Sequence, residues 1–106
     1  LFEGPYKTYY KNGQIKEEGL FKNNLFEGPY KTYYKNEQIK TEKEYQNGKL
    51  HGVQKLYHDN GQPELEGVYV DGKKNGIFKY YKYSGQLILQ EEYEMGLRIS
   101  TFNYEN

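Results

Sequence analysis

Apolar residues recur along the chain in short alternating runs of the strand kind, and the runs themselves recur. Tyr6, Tyr30 and Phe78 return at multiples of 24 residues, as do Ile15, Ile39 and Leu87, and Phe21, Tyr45, Tyr69 and Tyr93, with polar residues between them. Period-two alternation bounded by turn residues predicts half-buried strands. The punctuation keeps the same period. Gly4, Gly28, Gly52 and Gly76 stand 24 apart, with Ser100 next in line. Gly13, Gly61 and Gly85 form a second series in which Glu37 is the exception, and Gly48, Gly72 and Gly96 a third in which Asn24 stands in. Residues 1–12 and 25–36 are identical, LFEGPYKTYYKN in both. A copied stretch is a building unit rather than an active site, so the repeat governs the fold. It divides the chain into units at about residues 4–27, 28–51, 52–75 and 76–99, with a partial fifth at 100–106.

Asn12-Gly13, Asn60-Gly61, Ser84-Gly85, Asn47-Gly48 and Asp71-Gly72 mark the turns. Asn-Gly and Asp-Gly between apolar runs are strong hairpin signals, because both central residues of the favoured turn need positive φ. Each unit therefore holds two turns and two strands. The expected fold is all-β, an antiparallel meander of repeated β-hairpins with about eight or nine strands.

If both turns are two-residue loops, alternation sorts side chains onto two faces. One face collects the aromatic series with Ile15, Ile39, Leu87, Leu65 and Leu89, and sets Gly4, Gly28, Gly52 and Gly76 opposite Phe21, Tyr45, Tyr69 and Tyr93. A ring there would cover glycine backbone. The other face collects Lys7, Lys31, Lys55 and Lys79 with Gln14, Gln38, Gln62, Gln86, Glu18, Glu42 and Glu66. Tyr9, Tyr33, Tyr57 and Tyr81 break this sorting by landing among the lysines. A three-residue loop with a glycine bulge would reverse the assignment on one side of a turn.

A lone unit cannot fold. Ordering 24 residues costs roughly 1–2 kcal/mol each in backbone entropy, and five or six apolar side chains return only about 1.5–3 kcal/mol apiece. Neighbouring units must share that cost. At the C-terminal end Ser100, Asn103 and Glu105 replace glycine, lysine and tyrosine, which reads as a polar final strand blunted against edge pairing. The N-terminal end carries no such change, and the expectation is that the natural chain continues upstream of Leu1.

Composition narrows the function. The apolar mass is aromatic, with 14 Tyr and 5 Phe but no Trp, no Cys and one Met. Absence of Cys removes disulfides, thiolate zinc sites and a cysteine nucleophile. Fifteen basic residues balance fifteen acidic ones, so the basic excess that nucleic acid or an anionic membrane attracts is missing. No apolar run approaches the roughly 20 residues that span a bilayer. The Lys, Asn, Tyr and Glu bias suits an AT-rich, bacterial genome.

Few residues group into chemistry. His51 and His58 are the only histidines, fall on opposite faces and point to no metal site. Adjacent strand residues such as Glu17-Glu18 and Glu91-Glu92 point apart, and Ser84 has no base supplied by the sequence. No cofactor is expected. Lys7, Tyr9, Lys31, Tyr33, Lys55, Tyr57, Lys79 and Tyr81 could present rings and charges to a partner; lateral packing of the rings with soluble lysines is the favoured alternative.

At Tyr45-Gln46-Asn47-Gly48-Lys49-Leu50-His51-Gly52, and again from Tyr69 to Gly76, the spacing Y-x-x-G-x-x-x-G resembles the MORN repeat. The continuation GPYKTYYKNGQIKEEG is similar to a bacterial variant form found in antitoxin components of toxin-antitoxin systems. Asn24, Glu37 and Phe21 depart from its pattern. The resemblance implies an elongated, twisted single-sheet array that acts in protein contacts or as a tether. It also implies that a phosphatidylinositol phosphate kinase label could be inherited from similar repeats, although the sequence holds no phosphate loop, catalytic-loop Asp and Asn pair or Asp-Phe-Gly. The expectation is a non-enzymatic scaffold whose protein partner covers the aromatic face, as a toxin would be masked. Self-association and membrane-surface binding are the rivals, and the compartment stays open.

Overall fold

A computed structural model describes residues 2–104. β1 (Gly4–Tyr9) turns into β2 (Ile15–Lys22), and this hairpin recurs as β4 (Gly28–Tyr33) with β5 (Ile39–Gln46), β7 (Gly52–Tyr57) with β8 (Pro63–Val70), and β10 (Gly76–Tyr81) with β11 (Leu87–Glu94). Two-residue strands β3 (Leu25–Phe26), β6 (Lys49–Leu50) and β9 (Lys73–Lys74) lead into β4, β7 and β10, and β12 (Leu97–Asn103) follows β11. All pairings are antiparallel, and the sheet runs β1-β2-β4-β5-β7-β8-β10-β11-β12 without a crossover. The molecule measures 47 × 32 × 13 Å. That thickness is one sheet with its side chains.

The two turns of each unit differ in kind. Between units the chain uses two-residue turns with both residues left-handed: Asn23-Asn24 at φ 52° and 68°, Asn47-Gly48 at 52° and 80°, Asp71-Gly72 at 48° and 81°, and Met95-Gly96 at 45° and 92°. These are the expected hairpin turns. Within units the loop has three residues. Gly13 N donates to Tyr10 O at 3.0 Å and Tyr10 N to Gln14 O at 2.8 Å, so in Lys11-Asn12-Gly13 only Gly13, at φ 89°, is left-handed. The equivalent loops start at Tyr34, His58 and Lys82, and Glu37 takes the glycine's place at φ 73°.

This longer loop corrects the two-face assignment. Thr8 pairs with Glu17 but Tyr9 with Ile15, leaving Lys16 as an extra residue, and the same shift recurs in β4–β5, β7–β8 and β10–β11. Directly opposed residues share a face. Ile15, Ile39 and Leu87 therefore leave the aromatic face and join Tyr9, Tyr33 and Tyr81 on the lysine face.

A second bulge sits at the first glycine series. Phe21 pairs with Phe26, yet Glu18 pairs with Lys31, which leaves two extra residues on the later strand. Gly28, Gly52 and Gly76 take φ of 79°, 106° and 95° there. Their register partners are the expected rings, Tyr45, Tyr69 and Tyr93. A Cβ at Gly4, Gly28 or Gly76 would nevertheless meet nothing within 4 Å; glycine serves the backbone there and makes no room for a ring. Ser100 lacks positive φ, and β12 absorbs one extra residue instead of two, pairing Tyr93 with Arg98 and Glu92 with Ser100. Phe102 consequently pairs with Gln90 on the lysine face, whereas its counterpart Tyr30 lies on the aromatic one. β12 is exposed along its length and carries Leu97, Ile99 and Phe102, so the edge strand starts before the expected polar segment and exposes apolar side chains near both ends, while Glu105 lies outside the described residues.

Ring contacts organise the aromatic face. Phe2, Phe21, Tyr6, Phe26, Tyr30 and Tyr45 form a chain with neighbouring centroids 4.4 to 5.8 Å apart. Tyr69, Phe78 and Tyr93 form a second cluster with centroids 5.6 and 5.4 Å apart. Lys74 Nζ lies 5.0 and 4.8 Å from the Phe78 and Tyr93 centroids, within cation–π range. Glycines inside β2 and β8 decide where rings fit. A Cβ on Gly19 would come within 3.0 Å of Tyr30, and one on Gly67 within 2.3 Å of the fully buried Phe78. Lys43 takes that position in β5, and the next ring slot then holds Gln54, 8% exposed, with no partner for its Oε1.

Candidate interaction surface

The lysine face carries three parallel rows that cross the strands. In the first, Tyr9 opposes Ile15, Tyr33 opposes Ile39, Tyr57 opposes Pro63 and Tyr81 opposes Leu87. In the second, Lys7, Glu18, Lys31, Glu42, Lys55, Glu66 and Lys79 alternate in charge on successive strands. The third pairs Pro5 with Leu20, Pro29 with Glu44, Val53 with Val68 and Ile77 with Glu92.

Tyrosines of the first row hold the glutamates of the second. Tyr33 donates to Glu18 at 3.2 Å and Tyr57 to Glu42 at 2.7 Å, and Tyr81 bonds to Glu66 in the same way. Partial burial, then the glutamate hydrogen bond, pushes the Tyr57 and Tyr81 hydroxyls up to about 12. Tyr33 is raised by burial and by Glu18. Tyr9 has no preceding glutamate in the described residues and is 57% exposed. Lys7, Lys31, Lys55 and Lys79 have no carboxylate oxygen within ion-pair distance among the described residues. The structure thus brings all eight sequence-predicted residues to one face but divides them: the hydroxyls of Tyr33, Tyr57 and Tyr81 turn along the sheet to carboxylates, while the Tyr9 ring and the four ammonium groups stay available.

Sequence reasoning missed two carboxylates on the aromatic face. Glu17 accepts from Tyr6 at 3.3 Å, Thr8 at 3.2 Å and the Tyr30 hydroxyl. Glu91, 8% exposed, accepts from Tyr80 at 2.9 Å, Tyr93 at 3.2 Å and Arg98 at 3.2 Å. Burial opposes charge on Glu91, yet the donors from Tyr80, Arg98 and Tyr93 outweigh it and hold the carboxyl below its ordinary value. For Glu91 the available signal was the replacement of glycine by glutamate at the position that Gly19 and Gly67 share; for Glu17 it was a carboxylate where the later units carry Thr41, Leu65 and Leu89.

The histidines serve the repeat. His58 Nε2 lies 3.1 Å from Tyr81 O, in the place where Tyr10 and Tyr34 hydroxyls donate to the Tyr33 and Tyr57 carbonyls at 2.6 Å. His51 lies beside the next turn, its Nδ1 3.8 Å from Asp71 Oδ1. No group of three His, Cys, Asp or Glu among the described residues could hold a metal.

A single open sheet assembled from hairpins of constant length is a β-repeat protein. The profile of the MORN repeat variant matches residues 2–23, 26–47 and 50–71, more than half the chain, and the chain belongs to that family. MORN repeats are modules for interaction with proteins or membranes. No curated protein matches the chain.

Proposed function

We propose that this chain is a non-enzymatic scaffold that binds another protein. The observation that carries the reading is the single layer: Phe78 is the one buried hydrophobic side chain among the described residues, and Leu20, Val53, Val68 and Ile77 stay 38–46% exposed on the lysine face. Apolar rows left open on a monomer mark interaction surfaces. Lys7, Lys31, Lys55 and Lys79 would supply charge contacts, with Tyr33, Tyr57 and Tyr81 holding the intervening glutamates in place and Tyr9 open at the edge. We put the contact on this face because the aromatic rings already cover one another. Antitoxin-like masking of a bacterial partner is the finer form of the same proposal.

The test is capture of the full-length protein with cross-linking in its native cells, then reconstitution of the purified pair. A stable complex of fixed stoichiometry supports the scaffold. Co-sedimentation with anionic vesicles and no protein partner would replace it with membrane tethering.

A further inference from the structure

We propose that β12 is a self-pairing edge, through which two copies of this chain join into one continuous sheet about a two-fold axis. The inference stands independently of the protein partner proposed above. It starts from where exposed apolar side chains lie. Of the thirteen large hydrophobic residues exposed among the described residues, Met95, Leu97, Ile99, Phe102 and Tyr104 fall together at the end of the sheet, with Leu97 68% and Phe102 59% exposed. The two edges differ in this respect. β1 carries Pro5, which offers no N–H, and the exposed Lys7, and both discourage strand addition. β12 has neither Pro nor Lys, and its one charge turns inward, Arg98 Nη1 lying 3.2 Å from Glu91 Oε2.

The bulge in β12 makes this edge complementary to itself. Leu97 pairs with Glu94, Arg98 with Tyr93, Thr101 with Glu91 and Phe102 with Gln90, while Ile99 and Ser100 together face Glu92. Opposed residues share a face, so from Leu97 to Phe102 the faces run lysine, aromatic, lysine, lysine, aromatic, lysine. Hydrogen bonds agree: Ser100 Oγ donates to Glu92 at 3.4 Å on one side, and Arg98 donates to Glu91 on the other. That order is the same read from either end. A second β12 laid antiparallel therefore meets the first face for face, with Leu97 opposite the second copy's Phe102, Arg98 opposite its Thr101 and Ile99 opposite its Ser100. Met95, in the preceding turn, comes level with Tyr104. The two bulges oppose each other, so neither strand is left with an extra residue. Leu97, Ile99 and Phe102 of both copies gather around the axis on the lysine face.

Strand direction selects β12 over the other edge as the partner. Nine strands alternate in direction along the path from β1 to β12, so β1 and β12 run the same way. Joining β12 to the β1 of another copy would need a parallel pair, and repetition of that contact would give an open filament. β12 against β12 is antiparallel and closes at two copies. The axis stands normal to the sheet, which keeps both lysine faces on one side and extends the array to about twice its 47 Å length.

Sedimentation of the full-length protein from about 1 µM to 1 mM is expected to show a reversible monomer–dimer equilibrium. Leu97→Lys and Phe102→Glu, each alone, should weaken the dimer by at least about tenfold. Mixing the two variants should restore association as a one-to-one heterodimer, because the introduced charges then lie opposite each other; loss of folding cannot imitate that recovery. Oligomers that grow without limit, a dimer indifferent to both substitutions, or mixed variants that stay apart would overturn the two-fold β12 contact. A chain that stays monomeric throughout would overturn it too, and slow hydrogen exchange at every β12 amide of that monomer would assign the edge to another segment of the same chain.

Discussion

Gly67 has a job that only the folded chain reveals. Its position lies inside β8, opposite Gln54, and the space a side chain would need is filled by the Phe78 ring at 2.3–2.6 Å. Gly67→Ala should therefore destabilise by about 1–3 kcal/mol, the range for overpacking a filled site. Thermal denaturation reads this as a fall of roughly 4–8 °C per kcal/mol. Gly67 lies outside the three 24-residue glycine series, and its mark in the sequence is a single match, Gly19 two periods earlier. The lysine and tyrosine ladder, by contrast, was legible as a constant spacing. Its division into hydroxyls turned inward and ammonium groups left open was not, since it depends on which carboxylate the neighbouring strand brings within reach. Spectrophotometric titration should show two hydroxyls ionising near pH 12, those of Tyr57 and Tyr81. Because these folded values lie above the ordinary 10.0, their contribution to stability is complete below pH 10 and is lost as pH rises from 10 to about 12. Glu42→Gln should bring Tyr57 part of the way back, burial being the larger cause of its shift.

At the scale of the hairpin, the turn decides which face a side chain reaches. Alternation alone placed Ile15, Ile39 and Leu87 among the rings; one extra loop residue moved them to the other side. Asn-Gly is compatible both with a two-residue turn and with the three-residue loop used here, so dipeptides could not settle the register. The exception Glu37 was legible as uncomfortable, and the structure gives the reason: it holds φ 73° where Gly13, Gly61 and Gly85 hold 89°, 88° and 95°. Left-handed backbone costs a non-glycine residue about 1–2 kcal/mol, and glycine's extra freedom when unfolded returns about 0.5–1 kcal/mol of that. Glu37→Gly should raise stability by about 0.5–1 kcal/mol, measured as a higher urea midpoint with an unchanged slope.

The whole molecule is a series of interfaces between units, and they are not interchangeable. Gly19 accommodates Tyr30 and Gly67 accommodates Phe78, while Lys43 stands against Gln54. Deletion of residues 25–48 would set Gln54 over Gly19, leaving a loose contact. Deletion of residues 52–75 would drive Phe78 against the Cβ of Lys43. Each removes 24 residues and joins the chain in register, so turn-to-neighbour links survive: the first deletion keeps Gly72 N to Leu50 O, and the second brings Gly96 N, whose partner Lys74 O is removed, to the equivalent Leu50 O. Urea denaturation should find the second deletion weaker than the first by at least about 1–3 kcal/mol. Equal midpoints would show that glycine and ring placement carries no such weight.

The identical segments 1–12 and 25–36 acquire a different meaning beside that rule. Each spans its unit's first strand, and recombination between them removes one period, taking Gly19 and Tyr30 away together. Lys43 keeps Gln54, and Gly67 keeps Phe78. Inheritance can therefore shorten or lengthen the array at this end in whole steps without creating a mismatched neighbour, so the reach of the sheet is free to vary while its joints stay fixed.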